Sequence, residues 1–384
     1  MSRNPIVIVG SGLAGYAVVR ELRKLDDEIP ITLISADFAS FYSKPMLSNA
    51  LSTGKTPATF LSMDAVKMAE QHKITILPRT RVAAIESANN ELQLENGEKL
   101  RYDQLVLALG ADPIRLPLEG DGASDVLSIN DVEDYRCFRE ALEGKKQISI
   151  LGAGLIGCEF ANDLVAAGYE VHVVDISAEP LGRLLPPAGG VYMRERLEAI
   201  GVNFHLDAVT ERVERDGSQS KLMLANGETI KSDIILSAVG LAPRTELAAA
   251  AGIQINRGIV VNQLLQTQCV NIYALGDCAE VEGKVLPFVM PISHAGRALA
   301  ATLAGNSTPV YYPAMPVMVK TPACPAVVSP PDFAKKGEWQ VEVDQDGVKA
   351  LFQDAEGSLL GFALLGVATK EKAALTAQLP PILD

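Results

Sequence analysis

A chain of 384 residues is long enough for two or three domains of ordinary size. With 48% hydrophobic and 21% charged residues it has the balance of a globular protein, and a formal net charge of -13 sets it against nucleic acid as a ligand. No run reaches the roughly 18 consecutive apolar residues of a membrane span, so the expectation is a cytoplasmic chain without a membrane partner.

Residues 5–9 (Pro-Ile-Val-Ile-Val) read as a buried parallel strand. Gly10-Ser-Gly12-Leu13-Ala14-Gly15 follows, then a helical stretch to about Leu25 and a second strand over 31–34. The glycines explain why this apolar beginning is not a secretion signal. Further on, Asn96-Gly97 sits between alternating apolar residues, a strong hairpin signal, and a short strand ends at Gly110. The same order then recurs. Residues 147–151 form a strand, Gly152-Ala-Gly154-Leu-Ile156-Gly157 the turn, a helix runs to about Ala167, and 170–174 close the unit at Asp175. Asn226-Gly227 and a strand ending near Gly240 complete the copy. At a shift of 130 residues, Asn96, Gly97, Glu98, Asp103, Ala108 and Gly110 meet identical residues. The expected fold is therefore α/β, with two Rossmann-like dinucleotide-binding units, one inserted in the other.

Each GxGxxG lies between a strand and a helix, the context that gives the motif meaning. The first glycine makes the turn, the second admits a pyrophosphate, and the third lets helix and strand pack. Free N–H groups at the helix start then hold the anion. In the second copy Asp175 is placed to bind both ribose hydroxyls and repel a 2′-phosphate, which favours NADH over NADPH. In the first copy the matching position is Ser35, with Asp37 two residues on, so the usual acid is absent or displaced.

Residues 272–278 (Ile-Tyr-Ala-Leu-Gly276-Asp277-Cys278) read as a strand closed by Gly-Asp. A carboxylate there serves a ribityl hydroxyl, which FAD has and NAD lacks. Cys137, Cys158, Cys269, Cys278 and Cys324 form no CxxC or CxxxxC, so they read as core residues without a disulfide framework, redox pair or metal site.

Together these motifs resemble the pyridine nucleotide-disulphide oxidoreductase superfamily, from Ile6 to about Gly305. Gly110 and Gly240 fall on its two crossing glycines. Residues 41–48 (Phe-Tyr-Ser-Lys44-Pro45-Met-Leu-Ser) are similar to the segment of members without a redox disulfide, and the run Tyr-Ser-Lys-Pro with a short C-terminal region favours the rubredoxin-reductase branch. The resemblance implies one FAD per chain, NADH as substrate and rubredoxin as acceptor. It places Lys44, Pro45 and Lys320 near the flavin, Glu159 near the nicotinamide, and adds Leu13, Ala14, Val82, Ala108 and Ile156 as cofactor contacts. Pro291 and His294 resemble a helix start beneath the flavin. No general acid or base is assigned, because flavin chemistry passes electrons rather than needing one. His72, His172 and His205 suggest only packing or surface.

The insertion sets the expected domains: 1–112 with 240–312 for FAD, 113–239 for NADH, and 313–384 as a small α+β region. The last opens on prolines, then alternates over 338–343, 349–353 and 359–365 before a helix from about Lys370. A monomer or weak dimer suits its shortness. An acceptor surface is expected to be apolar or mildly basic, including Arg115, Lys320, Lys335 or Lys336. Alternatives are a ferredoxin reductase of an oxygenase system, or an NADH oxidase. Oxidase and peroxidase relatives carry a reactive cysteine near position 43, where this chain has serine. Regulatory relatives of the apoptosis-inducing kind are longer and basic.

Overall fold

The computed structural model describes residues 4–332 and 334–384. The β-branched run Ile6–Val9 is buried on both faces and forms the middle of a five-stranded sheet. Its order is Ile272–Ala274, Gln104–Leu107, Ile6–Val9, Ile31–Ile34, Thr75–Leu77, and every pairing is parallel. The second unit repeats this with four strands in the order Val202–His205, Glu170–Val174, Gln147–Leu151, Ile234–Ser237, again all parallel. Each unit carries the same accessory piece, inserted in the chain before a later strand of its parallel sheet, a three-stranded antiparallel sheet: Val82–Glu86, Glu91–Leu94, Lys99–Arg101 in one, Thr210–Asp216, Gln219–Leu224, Thr229–Ser232 in the other.

The two Asn-Gly turns are superimposable in their bonding. Leu94 N donates to Glu98 O at 2.9 Å and Leu224 N to Glu228 O at 2.9 Å, while Gly97 and Gly227 both sit at φ +86°. Only glycine adopts that conformation at no steric cost.

The chain passes between the units through Ala111–Pro113 and Leu241–Pro243, which pair antiparallel just after Gly110 and Gly240. Helix Val289–Leu303 then packs on helix Leu13–Leu25. A Cβ on Gly296 would stand 3.0 Å from the Cβ of Ala17, so the small residue sets the closeness of that crossing.

The C-terminal sheet has two strands more than the alternation showed. Its order is Val317–Val319, Ala326–Ser329, Leu359–Gly366, Gly347–Gln353, Glu338–Val343, all antiparallel. The extra two lie in the proline-rich stretch. The prolines fall outside the two strands themselves, where a missing N–H costs no ladder bond. The expected helix from about Lys370 is instead a 3-10 turn, Val367–Glu371, followed by the short helix Lys372–Thr376. One face of this sheet shares a core with the second unit, through Val319, Ala326, Val348 and Leu365 against Tyr192, Met193 and Leu197. The final residues return to the first unit: Tyr312 N donates to Leu383 O, and Ile382 and Leu383 pack on its core. Among the described residues no helix is long and apolar enough to cross a membrane.

Candidate functional site

Both glycine-rich turns close in the same way. Gly10 and Gly152 hold φ of +118° and +103°, and Gly10 N and Gly152 N each donate at 2.8 Å to the end of the neighbouring strand. A Cβ on Gly15 would collide with Gly10 O, and one on Gly157 with Gly152 O. A Cβ on Gly12 or Gly154 would meet nothing within 4 Å. So the third glycine is required by packing, while the second faces open space. Gly12 and Gly154 are also the N-caps of helices Leu13–Leu25 and Leu155–Ala166, and neither helix has a side-chain cap or an acid in its first turn. Two uncapped helix starts facing open space are two cradles for an anion. Leu13, Ala14 and Ile156 stand in those first turns.

In the second unit the Asp175 carboxylate accepts from Ala153 N at 2.5 Å and from Ser177 N at 2.7 Å, bracing the turn itself. Nearby, the buried Ser237 hydroxyl at the carboxyl end of the sheet has no partner among the described residues. In the first unit Ser35 is buried, and Val82 begins a strand that follows the segment paired with Ser35 and Asp37: Thr80 N donates to Ser35 O and Arg79 N to Asp37 O, both at 2.7 Å.

Gly276 and Asp277 close the first unit's edge strand. Gly276 has φ +78°, and a Cβ there would lie 2.8 Å from the Cβ of Ala14, so the Gly-Asp turn lies directly against the first cradle. Burial raises the Asp277 pKa above the ordinary aspartate range, opposed by the charge of Lys44. Burial likewise lowers the Lys44 pKa, opposed by Asp277. The Lys44 ammonium donates to Asn130 Oδ1 at 2.6 Å, and Asn130 Nδ2 to Ala111 O at 2.9 Å. Among the described residues nothing donates a hydrogen bond to the Asp277 side chain. A half-buried carboxylate beside an anion cradle, lacking a donor, fits the hydroxyls of a ribityl chain.

A second cluster sits beside the Lys44 segment. Glu159, 1% exposed, accepts from Lys320 Nζ at 2.8 Å, from Lys320 N at 2.9 Å and from the Ser48 hydroxyl. The Lys320 ammonium also reaches Pro45 O. One turn on, Asn162 accepts from Ala323 N at 3.0 Å, and Asp163 from Leu51 N at 2.8 Å and Ser52 N at 3.0 Å. Three buried polar residues on one face of the second unit's first helix thus hold the 44–52 segment and the C-terminal region together. Sequence reasoning named Glu159 and Lys320 but missed Ser48, Asn130, Asn162 and Asp163. For Asn162 and Asp163 the i, i+3, i+4 polar run with Glu159 in an otherwise apolar helix was the available signal, whereas Ser48 and Asn130 lie outside that helix.

Other expectations come out differently. Lys320 is turned inward to Glu159, leaving only Arg115, Lys335 and Lys336 of the expected basic surface exposed. His294 is half-buried on helix Val289–Leu303, its pKa lowered by burial and by Arg297. His172 and His205 are more than packing. Their rings meet at 3.0 Å between nitrogens, with Glu170 on one outer nitrogen and Glu228 of the Asn-Gly turn on the other. All five cysteines are free, and Cys158, Cys278 and Cys324 are buried.

Residues 4–302 match the family described as pyridine nucleotide-disulphide oxidoreductase. The chain belongs to that family. Residues 309–379 match a second family, the rubredoxin binding C-terminal domain. The chain is 48% identical to the rubredoxin-NAD(+) reductase of Alcanivorax borkumensis, covering 99% of this chain and 100% of that one. It is also 48% identical to that of Acinetobacter baylyi, covering 99% of each. Its fold superposes with a TM-score of 0.89 on the ferredoxin reductase for the CYP199A2 system of Rhodopseudomonas palustris, at 27% identity over 98% of this chain and 96% of that one.

Proposed function

We propose that the chain is an NADH-dependent FAD reductase that passes electrons singly to rubredoxin. The observation that carries this reading is the joint between the 44–52 segment and residues 309–379. There the region matching a rubredoxin-binding domain is bolted through Lys320 to Glu159 and Pro45. An acceptor docked on that region would stand beside the segment that carries Lys44 and Pro45.

In this reading the first cradle, with Gly12, Ala14, Gly276 and Asp277, holds FAD, and the second, with Gly154 and Asp175, holds NADH. Residues 1–112 with 240–312 serve as the FAD domain, 113–239 as the NADH domain, and 313–384 as the acceptor domain. Bound FAD supplies the change from two-electron to one-electron transfer. Lys44 brings a positive charge to the ring, held in place by Asn130. Gly12 and the uncapped helix start would bind pyrophosphate, and Glu159 holds the second unit's helix to the 44–52 segment and the C-terminal region. Serine at position 43 leaves no thiol to accept the electrons, so they leave for an external carrier. A monomer or weak dimer is sufficient for this cycle.

The likeness to a ferredoxin reductase favours one second reading, a [2Fe–2S] ferredoxin as the acceptor. An anaerobic titration tests the first. NADH should bleach the flavin band at one equivalent per chain, and oxidised rubredoxin should restore it at about two equivalents per NADH, the ratio of a two-electron donor to a one-electron acceptor. Failure of rubredoxin to restore the band would overturn the proposal.

A further inference from the structure

Comparison of the two units exposes an exchange of residues. The second ends its closing strand Asp175-Ile176-Ser177, and the first Ser35-Ala36-Asp37. Acid and serine have traded places on the same backbone frame. Ser35 N donates to Leu77 O and Asp175 N to His205 O, each at 3.0 Å, so positions 35 and 175 are equivalent in space. In the second unit the carboxylate springs from that position and touches the turn directly at Ala153 N. In the first, the residue matching Ala153 is Ser11. Its hydroxyl lies 2.6 Å from the Ser35 hydroxyl and 3.1 Å from Asp37 Oδ1.

We propose that Asp37 is the ribose-binding carboxylate of the first dinucleotide site, brought back to the glycine-rich turn by the hydroxyls of Ser11 and Ser35. This rests on reading the first unit as the FAD site. Ser35 Oγ donates to Asp37 Oδ1 at 2.5 Å, and Ala39 N donates to the same oxygen at 2.8 Å. Among the described residues, all donors to this carboxylate therefore converge on Oδ1, and none reaches Oδ2. Ser11 and Ser35 are buried, whereas Asp37 is exposed beside the open face of Gly12. One oxygen is anchored and the other presented, so the carboxylate can accept hydroxyls of the adenosine ribose. The backbone beneath it is pinned by Arg79 N on Asp37 O at 2.7 Å, and the Arg79 guanidinium lies 4.4 Å from the centre of the neighbouring Phe38 ring.

The test is fluorescence titration of the flavin-free protein with FAD and with FMN, which lacks the adenosine. Wild-type protein should bind FAD far more tightly than FMN; if it does not, the first unit is not an FAD site and the reading beneath the proposal fails. Asp37→Ala should raise the Kd for FAD by about 10- to 100-fold, the worth of hydrogen bonds to a charged group, and leave that for FMN unchanged. The exchanged variant Ser35→Asp/Asp37→Ser, which copies the second unit, should return the FAD Kd to within about 5-fold of wild type. An unchanged FAD Kd in Asp37→Ala would overturn the proposal. So would an equal loss for FMN, or an exchanged variant that unfolds or stays as weak as Asp37→Ala, since each makes Asp37 a brace rather than a ribose contact.

Discussion

The Lys320 ammonium lies 2.8 Å from the Glu159 carboxylate, across 161 residues of chain. With Pro45 O and Ser48 on the same ammonium, this pair joins the second unit's helix, the 44–52 segment and the C-terminal region. Lys320→Met removes a charged donor from a carboxylate that is 1% exposed, and is expected to cost about 1–3 kcal/mol of stability. Glu159→Gln with Lys320→Met should cost less than the two single changes summed, with a coupling of about 0.5–3 kcal/mol in urea unfolding. Additive effects would show that the contact does not bind these elements together.

The glycines separate folding from binding. Gly15→Ala drives a Cβ into Gly10 O and should abolish soluble folded protein. Gly12→Ala meets nothing within 4 Å and should fold within about 1 kcal/mol of wild type, yet lose FAD, because the methyl group takes the space of the pyrophosphate. Circular dichroism and flavin content of the purified variants check both.

How much of this was readable depends on where the partners lie. The duplicated turns were legible because Gly10, Gly97, Gly152 and Gly227 hold positive φ that other residues resist, so the backbone need is written in the residue type. The Glu159–Lys320 bond was not, since a buried ion pair leaves no local pattern; only the likeness to a family suggested the two positions. Strands Val317–Val319 and Ala326–Ser329 were hidden by surrounding prolines, which mark irregular chain in isolation but fall outside the strands here. The Ser35–Asp37 exchange was visible as a missing acid, and its resolution needed Ser11 folded against it.

Asp277 carries a pH dependence. Burial raises its folded pKa, so the folded state holds the proton more tightly than the unfolded chain, whose value is about 3.9. The flavin-free protein therefore loses stability as pH rises from that value through the raised pKa. Asp277→Asn should melt above wild type at pH 7, and the gap should close as pH falls into the acid range. The same variant should bind FAD more weakly. Melting curves of flavin-free protein across pH measure the first effect and flavin titration the second.

Asp175→Ser removes the carboxylate that would accept the NADH ribose hydroxyls. It should lower kcat/KM for NADH by about 10- to 100-fold and leave NADPH unchanged or improved. An equal loss with both nucleotides would assign Asp175 only to bracing the Ala153 turn.

The measurement closest to the central claim is anaerobic NADH-driven reduction of rubredoxin, a [2Fe–2S] ferredoxin and a dithiol substrate by the purified protein, with oxygen consumption followed separately. Rubredoxin should be reduced rapidly, with little transfer to the others. Fast oxygen consumption or ferredoxin reduction with slow rubredoxin reduction would contradict the proposed function, while leaving the fold and the geometry of both cradles as described.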